Sequence, residues 1–142
     1  MMKTTALGKL LVLMFTGFVG SSAASVSYSA QDLYSDCGYA ETFLAEEKKA
    51  DLFASVAGGR CLSYLQGFVE GFRVSEALAR RVGVEFAAFC LPEDADMSRL
   101  VRAVLTYQVL HPLPPESVAS VPAGQIAIAA LARAFACAAA GE

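Results

Sequence analysis

The chain has 142 residues, with 11 basic against 14 acidic and a formal net charge of −3. That length suits one domain with a real core, and the acidic balance disfavours nucleic acid or anionic lipid as the main partner.

Met1 to Lys9 carries Lys3 and Lys9, and Leu10 to Val19 is apolar apart from Thr16 and Gly17. The small residues Ser21-Ser22-Ala23-Ala24 then offer a cleavage site. Residues 1–24 therefore read as a secretory signal peptide and residues 25–142 as a single helical domain. The apolar run is too short to span a bilayer, so no membrane association is expected once the signal is removed. Cleavage takes Lys3 and Lys9 away, so 11 basic residues become 9 against 14 acidic, a balance of −5. Beyond the leader stand Cys37, Cys61, Cys90 and Cys137. In an exported chain an even cysteine count favours disulfides over catalysis or metal binding.

Helical periodicity dominates the rest, with no convincing strand alternation. The first segment, Ala30 to Cys37, is closed by Gly38, and a second helix is expected from Glu41 to Val56, ended by Gly58-Gly59. The charges Glu46-Glu47-Lys48-Lys49 within it read as a solvated face. Arg60 to Val82 is the clearest helix. Cys61, Leu65, Phe68 and Phe72 form an apolar stripe, Ser63, Gln66, Glu70 and Arg73 a polar one, and Gly83 is a C-terminal cap. Val84 to Met97 is a connection with an acidic patch, Glu93, Asp94 and Asp96, where Asp96 or Ser98 caps the next helix. That helix, Arg99 to Leu110, buries Leu100, Val101, Val104 and Leu105 and stops at His111-Pro112. Pro112-Leu113-Pro114-Pro115 must form a stiff loop, with a short turn from Glu116. Pro122 fits the first position of a last helix running to about Cys137. Being apolar nearly all round, that helix is expected at the centre of the bundle.

No catalytic constellation emerges, and neither enzyme activity nor a cofactor is expected. His111 is the sole histidine, lies at a helix-ending proline, and has no protected thiol to activate. No C-x-x-C spacing exists for a metal, and Glu93, Asp94 and Asp96 lack the pattern of a calcium loop. Gly67 and Gly71 form a G-x-x-x-G notch beside Tyr64. Two glycines inside a helix cost about 1 kcal/mol each relative to Ala, so something must approach closely. Packing within the chain is the first reading and a homodimer face the second.

The order Asp32-Leu33 to Cys37, Cys61-Leu-Ser-Tyr64-Leu-Gln-Gly67-Phe-Val-Glu70-Gly71, Cys90-Leu91-Pro92, Leu100 to Tyr107, His111-Pro112 and Ala134-Phe135-Ala136-Cys137 resembles one family over residues 30 to 137. It is similar to the Rap/Tai-type immunity proteins of bacterial type VI secretion. The resemblance implies a helical periplasmic protein that binds and blocks a peptidoglycan-cleaving amidase toxin, its cognate protein partner. Two departures stand out: Phe135-Ala136-Cys137 where the family usually ends F-P-C, and the extra prolines Pro114-Pro115. The alternative is a periplasmic acid-stress chaperone, which is also small, helical and disulfide-bonded.

The fold expectation is an all-α bundle of four to five helices with two disulfides. Of three possible pairings, Cys37–Cys61 and Cys90–Cys137 are favoured. Cys37 ends one helix where Cys61 begins another, and Cys90 and Cys137 lie at the meeting ends of two antiparallel neighbours. The expected toxin-binding surface comprises the proline loop, with His111, an apolar tip at Leu113 and a polar contact at Glu116. Glu93, Asp94 and Asp96 would steer it toward a basic rim.

Overall fold

The computed structural model describes residues 27–45 and 51–138. It contains five helices: α1 (Ala30–Leu44), α2 (Leu52–Arg81), α3 (Met97–Leu110), α4 (Pro115–Val118) and α5 (Ala123–Ala134). No named strand lies among the described residues. The expected leader and the Glu46-Glu47-Lys48-Lys49 cluster fall outside them.

Ser29 and Asp32 start α1 through a reciprocal capping box: the Ser29 hydroxyl accepts from Asp32 N–H, and the Asp32 carboxylate accepts from Ser29 N–H at 3.0 Å. The helix does not stop at Gly38, because Ala40 beyond it is fully buried and repays the modest cost of a helical glycine. The separate helix expected over Glu41 to Val56 does not exist. Its first residues complete α1, and its last ones open α2, which is capped by the Asp51 carboxylate on Ala54 N–H at 2.8 Å.

Gly58 and Gly59 lie inside α2 rather than ending a helix. A Cβ on Gly58 would sit 3.2 Å from the backbone of Ala40, so this glycine lets α1 and α2 come together. At 30 residues α2 is about 45 Å long. It ends as expected: Gly83 takes a φ of 77°, with Gly83 N–H donating to Arg80 O and Val84 N–H to Ala79 O, a Schellman motif.

α1 packs against α2, α3 and α5 and is the centre of the bundle. The role expected for the last helix thus falls to the first. α5 buries Ala123, Ile126, Ala127, Ala130 and Leu131 but leaves Ile128 and Gln125 exposed, since a helix built largely of Ala presents little bulk to enclose. It also ends at Ala134, short of Cys137, and Pro122 caps it instead of occupying its first turn. A two-residue bridge ties the entries of α1 and α5, Ala30 N–H to Val121 O at 2.8 Å and Ala123 N–H to Tyr28 O at 3.0 Å.

Both disulfides pair as expected, Cys37–Cys61 and Cys90–Cys137. Cys37–Cys61 joins the flanks of two helices rather than their ends, and it is wholly buried. Cys90–Cys137 joins the approach to α3 to the chain after α5, where Cys90 N–H donates to Phe135 O at 2.8 Å. Chain entropy assigns the two closures about 3.5 and 4 kcal/mol.

Candidate functional site

A partly buried polar cluster where α1 meets α2 has no counterpart among the sequence-based expectations. Asp36, on the buried face of α1, is only 2% exposed. Its carboxylate accepts from Arg60 Nε at 2.9 Å, Arg60 Nη2 at 2.7 Å and the Tyr28 hydroxyl at 2.7 Å. Burial first, then the hydrogen bond to Asp36, pushes the Tyr28 hydroxyl far above its ordinary range. A signal for it exists in the sequence: Asp36 precedes Cys37 and Arg60 precedes Cys61, so the disulfide sets the two charges side by side.

The proline loop hangs between α3 and α4. His111 ends α3, its N–H donating to Tyr107 O at 2.8 Å and its ring centre 4.5 Å from that of Tyr107. Leu113 is not an exposed tip. It is half-buried and packed against the core, so it anchors the loop instead of capping it. What the loop offers to solvent is His111, Pro112, Pro114, Pro115 and Glu116. Beside it runs a groove of about 740 Å³ whose walls include Gln31, Tyr34, Gln108, Leu113 and Val118. The Tyr34 hydroxyl is buried without a hydrogen-bond partner among the described residues, and burial raises its pKa.

The acidic connection is divided among separate duties. Asp96 caps α3, accepting from Arg99 N–H at 2.9 Å and from the Ser98 hydroxyl at 2.7 Å, and these bonds hold its carboxyl below the usual range. Asp94 pairs with Arg99 at 3.2 Å, and Glu93 is exposed. Met97 is half-buried in the core. The acidic connection and the proline loop sit at opposite ends of the 14-residue α3, about 20 Å apart along its axis. The expected site residues therefore form two surfaces, not one.

The glycine notch is open. A Cβ placed on either Gly67 or Gly71 would meet no atom within 4 Å among the described residues, and both glycines face solvent. Among the described residues, packing within the chain, the first reading of the notch, finds no partner there. Tyr64 turns the other way, its ring 4.8 Å from Tyr28 and 6.4 Å from Phe68. The open face continues through Val74, Leu78 and Val82, all more than half exposed.

No group of three potential metal ligands occurs among the described residues, and no described helix is long and apolar enough to cross a membrane. The arrangement offers surfaces for recognition.

The model of one protein family, the Rap1a immunity proteins, matches residues 29–137. The chain belongs to the Rap1a immunity protein family. No curated protein and no solved structure matches it. Membership makes the chain an immunity protein with a toxin as its partner, in a family that is generally non-enzymatic. Nothing in the fold or the family supports the chaperone alternative. The matched span begins at the Ser29 cap and ends at Cys137, so it includes α1 to α5 and both disulfides.

Proposed function

We propose that this Rap1a family member is a periplasmic immunity protein that binds and neutralises a peptidoglycan-cleaving amidase toxin delivered by a type VI secretion system. The family match over residues 29–137 carries the reading. The leader-like residues 1–24 and the two disulfides support the periplasm, where thiols oxidise and peptidoglycan is accessible.

Inhibition by occlusion needs a surface that loses little entropy on docking. The proline loop meets that need twice over. Pro112, Pro114 and Pro115 restrict its backbone, and Leu113 fastens it to the core. His111 and Glu116 then present polar contacts to the toxin. The exposed stripe Gly67, Gly71, Val74, Leu78 and Val82 supports a homodimer in which two α2 helices cross at the notch.

The test is a titration of the oxidised mature protein into an amidase encoded beside its gene, following peptidoglycan cleavage. Activity should fall linearly to zero at one protomer per toxin molecule, and Glu116→Lys should raise the concentration required. Undiminished cleavage at saturating protein would refute the reading.

A further inference from the structure

Between α3 and α5 a groove of about 400 Å³ gathers Arg99, Arg102 and Arg133. This is a concentration of one charge in a chain with 14 acidic residues and a mature balance of −5. The three cations are not equivalent. Arg99 is fixed, its guanidinium 5.5 Å from the Phe135 ring centre and its Nη1 3.2 Å from the Asp94 carboxylate. Arg102 and Arg133 are exposed, and among the described residues no carboxylate lies within ion-pair distance of either. Glu41 shares a surface with Arg102 only in the adjoining cleft on the α1 side.

Arg102 and Arg133, without ion-pair partners among the described residues, and Arg99, paired with Asp94, concentrate a positive field in one concavity. That arrangement is relieved by an anion, and the planar guanidinium fork matches a carboxylate in two parallel hydrogen bonds. The walls are apolar and aromatic, with Ala130, Tyr107 and Phe135 among them. An inorganic anion would leave most of that volume empty. A peptide strand carrying carboxylates would use both the charge and the apolar floor.

We propose that the α3–α5 groove is the docking site for an acidic segment of the partner protein, with Arg102 and Arg133 as its carboxylate donors and Arg99 as a fixed third cation. That the partner is a toxin rests on the immunity reading; the acidic chemistry rests on the groove. The acidic connection then has a supporting part, since Asp94 orients Arg99 instead of meeting a basic rim.

The experiment uses the oxidised full domain labelled with ¹⁵N and a hexaglutamate peptide as probe, at low ionic strength. Amides of residues 99–107 and 130–135 should shift in a saturable way, and the shifts should vanish in Arg102→Glu/Arg133→Glu. No localised shift would overturn the proposal, as would identical shifts with sulfate at the same concentration, which would mean an adventitious ion only. Both arginines are exposed, so the variant should melt like the parent, and Arg102→Gln/Arg133→Gln provides a milder second variant. In parallel, affinity for the cognate amidase should weaken about tenfold or more in the charge-reversed protein and remain unchanged in Arg73→Glu on α2. If the parent inhibits the amidase and the reversed protein inhibits equally, the groove is not the contact. If the parent fails to inhibit at all, the immunity reading falls, while the peptide titration still decides the groove.

Discussion

α2 carries glycines with opposite surroundings. Gly58 lies where α1 crosses, with Ala40 backbone atoms 3.2 Å from a would-be Cβ. Gly67 and Gly71, further along the same helix, face open space among the described residues, and the Val74, Leu78 and Val82 face that follows is exposed. The proximal part of the helix is held by Cys37–Cys61, by Leu65 in the core and by the Arg60–Asp36 ion pair. Glycine spacing shows where a backbone could come close. Which glycine is used depends on covalent and packing constraints elsewhere.

Removing the covalent constraint should have the largest effect on this contrast. Cys37→Ala/Cys61→Ala is expected to lose about 3.5 kcal/mol in urea unfolding, because the staple next to the Gly58 crossing is gone. Retention of parental stability would mean that the crossing holds itself. Leu65→Ala should cost about 3 kcal/mol, whereas Leu78→Ala should leave monomer unfolding within about 0.5 kcal/mol and shift only the oligomeric mass. Equal losses at the two positions would erase the distinction between the halves.

The glycines themselves come next. Gly58→Leu must push against backbone fixed by the neighbouring disulfide and should cost about 1–3 kcal/mol, measured by thermal melting. Gly67→Ala should instead stabilise the dilute monomer by about 0.5–1 kcal/mol, since helix propensity improves and nothing is displaced. A lower melting temperature for Gly67→Ala together with loss of a dimer peak on sizing would place the second copy at this notch.

The smallest effect is electrostatic. The Ser29 hydroxyl and backbone N–H hold the Asp32 carboxyl below its ordinary 3.8. A depressed folded pKa contributes stability that is present above the unfolded value and disappears as pH falls through the folded one. Melting temperature should therefore decline below about pH 3.8, and Asp32→Asn should flatten part of that decline. The proximal cap would be ruled out as a contributor by identical acid profiles.

Much of the fold is legible in the sequence because its signals are local. The capping residue Asp96, the Gly83 terminus, the proline stop after His111 and the apolar stripe through Cys61 and Leu65 each act within a few residues. The boundary between the first two helices is not legible, because Gly38 and Gly58-Gly59 look like punctuation in one dimension. Only the burial of Ala40 against Gly58 makes them helical. The pairing Cys37–Cys61 follows from an expectation about helix ends, though both cysteines lie within helices. The candidate site is less legible. Leu113 reads as a tip because prolines flank it, yet its half-buried side chain packs against the core. Asp36 and Arg60 are 24 residues apart and become partners only where the disulfide joins their helices. Arg133 is far in sequence from Arg99 and Arg102, and the three share one groove only when α3 and α5 meet.

The central claim is most directly tested by lysis of cells in which an amidase toxin encoded beside this gene is directed to the periplasm. Co-expression of the full-length chain should keep the cells intact, and the same chain lacking residues 1–24 should leave them to lyse. Lysis in the presence of the full-length, disulfide-bonded protein would contradict the immunity assignment, and equal protection by the leaderless chain would contradict its periplasmic action.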